Sequence, residues 1–143
     1  MNKDTENLLR ECNAGIKMGE NAIKKVLPRV KNKGLKRALE VCGDTHANLG
    51  DRTHELLKRA GADTKPPHAI ASIMSDMKIN MTMMISPTDA SVADVMTDGC
   101  NMGVKSLSRY LNQYKNADSR SKEIAKELIA SEEYLTASMR EYL

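Results

Sequence analysis

Phenylalanine and tryptophan are absent from this chain, and tyrosine occurs only four times. Base stacking on aromatic platforms is how sequence-tolerant proteins grip single-stranded nucleic acid, so nucleic acid is an unlikely partner on composition alone. Cysteine is scarce too: Cys12, Cys42 and Cys100 are the three present. An odd number, with no Cys-x-x-Cys spacing and no secretory segment ahead of the first, argues against a disulfide framework or a zinc ribbon. Reduced thiols and a cytoplasmic location are the expectation. Long apolar runs are also missing. The longest nearly uncharged stretch, Ile79 to Val92, contains Asn80, Ser86, Pro87 and Asp89, which disqualifies it as a membrane span of about 20 apolar residues. No Gly-x-Ser-x-Gly, phosphate-loop or dinucleotide pattern occurs, and none of the cysteines is expected to have a histidine base. Hydrolase, kinase and dehydrogenase readings therefore find no support, and the chain is expected not to be an enzyme.

What is present suits a single helical domain over residues 1–143. A domain of this length buries about 68% of its unfolded surface without disulfide or metal staples. Ten methionines join Leu, Ile, Val and Ala as the available core, and the flexible thioether fills the gaps that aromatic rings would otherwise take. The formal net charge of +3 supports solubility and names no partner.

Leu8, Cys12, Ile16, Gly19, Ile23, Val26 and Val30 recur at steps of four and three from Asn2 onward, one apolar stripe on a helix. Pro28 is expected to end or kink it, and Gly34 to cap the turn in a left-handed conformation. The second helix carries Leu35, Leu39, Cys42, His46, Leu49, Thr53, Leu56 and Ala60, ending at Gly61 before a linker with Pro66 and Pro67. Ile70, Met74, Met77, Met81 and Met84 then predict an additional helix inside the long connection. Ser86 reads as the N-cap of the third main helix, with Pro87 at its first position and a stripe of Val92, Met96, Gly99, Gly103, Leu107, Tyr110 and Tyr114. The fourth follows on Ile124, Leu128, Ser131 or Glu132, Leu135, Met139 and Tyr142. No segment alternates as a strand does.

Met18-Gly19 and Met102-Gly103 are each followed by an aliphatic residue at the same spacing, which suggests that two hairpins are copies and the long middle segment is the crossover between them. Folding each hairpin about its turn sets residues equidistant from the turn side by side. Gly19 then faces His46, and Gly103 faces Glu132 or Glu133. A glycine on an apolar stripe admits a larger partner, so each hairpin is expected to seat one ionisable group in the interior.

With these residues the chain resembles the ferritin-like superfamily, in particular small bacterial ferritin-like domains with Met-Gly on the first and third helices. The resemblance extends over most of the chain and includes Asp98-Gly99-Cys100-Asn101-Met102-Gly103. It implies an all-α, ferritin-like four-helix bundle of two antiparallel hairpins, with an additional helix in the crossover. It also implies a two-metal centre built from a Glu on the first and third helices and Glu-x-x-His on the second and fourth. That pattern is broken here. Gly43 stands three before His46, while Leu135 and Thr136 stand three after Glu132 and Glu133. The third helix offers Cys100, with Asp98 its nearest acid. Asp51-x-x-His54 exists, but its two side chains point roughly 140° and 80° around the helix from His46.

Glu20, His46, Glu132 and Glu133 remain as candidate ligands for one Fe, Mn or Zn ion, since imidazole with carboxylates suits these metals. The plainer alternative is a buried histidine paired with a carboxylate and no cofactor. The Met-rich stretch 69–85 is the expected seam for a homo-oligomer or protein partner; its thioethers also suit Cu(I), and core packing is a further alternative. Seven Lys and Arg between Asn21 and Leu39, with no acid among them, are read as a solvated basic turn that also suits the C-terminal end of the first helix, with binding of phosphates or an acidic partner as the alternative. The favoured reading is a non-enzymatic bundle that works by association.

Overall fold

Four helices begin by one device, a short polar side chain that accepts from a free amide in the first turn. Asn2 receives Thr5 N–H, Asn32 receives those of Gly34 and Leu35, Thr88 that of Ser91, and Asp118 that of Ser121. These caps open α1 (Lys3–Val26), α2 (Lys33–Arg59), α3 (Asp89–Gln113) and α4 (Ser119–Met139). The computed structural model describes residues 1–64, 79 and 86–143, and all regular structure among them is helical. The additional helix and partner seam expected over 69–85 lie outside the described residues, apart from Ile79, which is helical and buried. No described helix is long and apolar enough to cross a membrane.

Helix ends differ from expectation in three places. Pro28 does end α1, in a short 3-10 turn over Leu27–Arg29, but Gly34 lies inside the first turn of α2 and has no left-handed role. The one positive φ among the described residues belongs to Gly61, at 65°, just past α2. Thr88 rather than Ser86 caps α3: its hydroxyl reaches Ser91 N–H at 3.1 Å, and Ser86 instead accepts from the Ser91 hydroxyl. Gly99 is exposed, because Cys100 takes the inward position and a one-residue step turns a helical side chain by about 100°.

α1 and α2 form one antiparallel hairpin and α3 and α4 the other. α1 and α4 each pack against all three other helices, with α2 and α3 on opposite sides of that pair. Hydrogen bonds at the two ends set the directions. Asp89, at the start of α3, accepts from the amides of Lys31 and Asn32 in the α1–α2 turn at 2.9 and 3.0 Å. At the far end Asp4 accepts from the amide of Asn116, and Thr5 from that of Asp118, both in the α3–α4 turn. The chain leaves α2 at this far end, where Asn13 donates to the Thr64 carbonyl. α3 begins at the opposite end, beside the α1–α2 turn.

The apolar interior divides in two. One cluster, around Leu35, Leu39, Val92, Met96 and Met139, fills the end near the α1–α2 turn; the other, around Leu8, Leu9, Leu49, Leu57 and Leu128, fills the opposite end. Each fully buried leucine contributes about 1.5–3 kcal/mol by leaving water. Where the clusters meet, two polar side chains are buried.

Candidate functional site

Two glycines create the space for this polar layer. A Cβ added to Gly19 on α1 would stand 2.6 Å from Nε2 and 2.7 Å from Cδ2 of His46 on α2. A Cβ added to Gly103 on α3 would stand 2.7 Å from both Cδ and Oε1 of Glu132 on α4. Contacts that close do not occur between real atoms, so a side chain at either place would force His46 or Glu132 to shift. The facing inferred within each hairpin is present, and Glu132 rather than Glu133 is the residue seated on α4.

The two seated groups then meet across the hairpins. His46 Nε2 lies 3.9 Å from Glu132 Oε1, with side chains 2% and 9% exposed. Nδ1 of the same ring is 2.9 Å from the Cys42 carbonyl, which can only accept, so Nδ1 carries a proton and donates it there. That leaves Nε2 as the position facing the carboxylate. Burial works against a charged ring, but Cys42 and Glu132 outweigh it and push the His46 pKa up to about 10. Burial raises Glu132 above the ordinary carboxyl range, and His46 opposes that shift without cancelling it. Nε2 and the carboxylate thus stand at ion-pair distance, beyond the reach of a direct hydrogen bond. Glu132 Oε2 is buried and has no hydrogen-bond partner among the described residues.

Two cysteines line the layer: Cys100 at the place expected of it on the third helix, and Cys42 beside the histidine. Cys42 Sγ is 3.5 Å from His46 Nδ1 and 3.8 Å from the Ser131 hydroxyl. A histidine does therefore stand beside a cysteine, contrary to expectation. The signal was available, because residues four apart on a helix share a face. Burial pushes the Cys100 thiol up to about 12, helped by the nearby Glu132 and Cys42 and opposed by the Thr136 hydroxyl. Burial, with Glu11 adding to it, does the same for Cys12. Both thiols stay protonated near neutral pH and are poor nucleophiles and ligands.

Of the four candidate ligands the structure brings two together. Glu20 is exposed, with its carboxylate beside Gly50 on α2, and Glu133 is exposed on α4. Each follows an inward residue by one position, which swings it about 100° toward solvent. Asp51 and His54 are exposed as well. Among the described residues no three His, Cys, Asp or Glu side chains stand close enough to hold one metal ion. The donor set is thus a poor fit to the metal centre that the ferritin-like resemblance implies: His46 and Glu132 offer one nitrogen and one carboxylate, where a protein metal site takes three or more ligands.

Comparison with known proteins adds no assignment: no family model, curated protein or solved structure matches the chain significantly.

Proposed function

We propose that the chain is a ferritin-like helical bundle that works by association with protein, its own copies first, and carries out no chemistry of its own. The observation that supports this is the closed inner layer. The two positions where each hairpin makes room for an ionisable group are taken by His46 and Glu132, and these groups face each other. The Cys12 and Cys100 thiols are held protonated, which leaves the outer surface as the working part. The proposed seam is the Met-rich stretch 69–85, whose thioethers adapt to a partner's shape. Light scattering over a concentration series tests the reading. A mass of two or more chains that falls to one in Met81→Glu, but not in Tyr134→Glu on the exposed face of α4, supports it. A single-chain mass at the highest attainable concentration sinks it.

A second reading, one Fe, Mn or Zn ion held by His46 and Glu132, draws support from the unpartnered Glu132 Oε2. Elemental analysis of protein purified without chelator decides between the two. Stoichiometric metal that is lost in His46→Ala would replace the first reading with the second.

A further inference from the structure

We propose that His46 is the built-in cation of a closed internal site whose anion is Glu132. All four helices contribute to the site. α1 supplies Gly19, α2 supplies Cys42 and His46, α3 supplies Cys100 and Gly103, and α4 supplies Ser131, Glu132 and Thr136. His46 and Glu132 are the charged members of this set, and the rest are thiols, hydroxyls and glycines. A carboxylate taken out of water needs a cation or several donors. His46 is the one base among the buried polar residues, while every described lysine and arginine is exposed or half-buried.

The shape of the site supports the same assignment. Gly19 lies against the flat edge of the ring, Gly103 lies against the carboxylate, and the Cys42 carbonyl fixes the ring by its other nitrogen. A backbone acceptor on Nδ1 orients an imidazole toward whatever faces Nε2, the device by which proteins aim histidines at metals. Here it aims the ring at a carboxylate 3.9 Å away. The two groups lie on different hairpins, so the pair specifies which residue of α2 meets which residue of α4. This assignment does not depend on how the outer surface associates: rescue by a neutral ring would overturn it and leave the oligomer reading standing, whereas bound metal would overturn both.

Cavity rescue is the test. His46→Ala removes a ring next to Glu132, and added imidazole, largely imidazolium at pH 6, is expected to refill the space. The melting midpoint of His46→Ala should rise saturably with imidazole, by about 3 °C or more, while wild type and His46→Ala/Glu132→Gln do not respond. Pyrrole, a neutral ring of the same size, should give a much smaller rise. Equal rescue by pyrrole, or equal rescue of the double variant, would show that the ring only fills space and would overturn the proposal. So would stoichiometric metal in the wild type that disappears in Glu132→Gln. Should His46→Ala not fold, ring 15N shifts of the wild type at pH 7 decide instead. Both His46 nitrogens protonated supports the assignment, and a neutral ring ends it.

Discussion

The α1–α2 and α3–α4 hairpins place a glycine and an ionisable residue in matching positions, yet they treat the ionisable residue differently. His46 is largely provided for by its own helix, since the Cys42 carbonyl takes its Nδ1 proton at 2.9 Å and Cys42 Sγ lies at 3.5 Å. Glu132 has no such local support. One of its oxygens has no partner among the described residues, and the other faces His46 on the opposite hairpin. A histidine can also lose its proton and remain buried as a neutral ring, whereas a buried carboxylate without its cation must take up a proton or stay uncompensated. The two halves of the pair are therefore unequal: Glu132 depends on His46 more than His46 depends on Glu132.

This inequality is open to measurement by denaturant unfolding. His46→Ala strands a buried carboxylate and is expected to cost about 3–5 kcal/mol. Glu132→Ala leaves a ring still bonded to Cys42 and should cost less, about 1–3 kcal/mol. Equal costs would remove the asymmetry.

The pH dependence should show the same interaction from another side. The folded His46 pKa lies above the ordinary 6.5, so its contribution is complete below that pH and is lost as pH climbs toward about 10. Glu132 is also raised, so its burial as a carboxylate costs stability on the alkaline side of its ordinary 4.5. Both shifts act in one direction. Wild-type stability is expected to fall by about 2 kcal/mol from pH 6.5 to 10, and His46→Gln should flatten that fall. A wild-type curve that rises over this interval would contradict the pairing.

The glycines give a comparison of similar size. Gly19→Ala and Gly103→Ala each push a methyl into the opposing polar group and should cost about 1–3 kcal/mol by thermal or chemical unfolding. Gly99, two positions after Thr97 on the outer side of α3, has nothing within 4 Å of an added Cβ. Gly99→Ala is therefore expected to stabilise by about 0.5–1 kcal/mol through helix propensity alone. Were all three glycines to behave alike, the two inner ones would not be cradles.

Much of the helical framework was legible in the residue order. The stripe Leu8, Cys12, Ile16 and Ile23 buries as its spacing predicts, and so do Leu35, Leu39, Cys42, His46 and Leu49. Folding each hairpin about its turn placed His46 against Gly19 and narrowed the α4 residue to Glu132 or Glu133. The choice between those two was not legible, because adjacent positions differ by about 100° and only the rotation of α4 decides which one enters. Glu20 was named as a ligand for its place beside Gly19, and that same offset turns it to solvent. Thr88 replaced Ser86 as a cap because both carry hydroxyls and the start of α3 depends on how Asp89 is held by the α1–α2 turn.

By itself, then, the sequence determined the local structure: the four described helices and the pairing of a glycine with an ionisable residue inside each hairpin. Those features depend on residues three or four apart or on distances counted from a turn. Only the tertiary structure decided that His46 and Glu132 face each other at 3.9 Å, that Cys42 and Cys100 flank them, and that Glu20 and Glu133 do not. Contacts between hairpins depend on how each helix is rotated and how far it slides along its neighbour, which the whole packed interior sets and no short stretch of residues encodes.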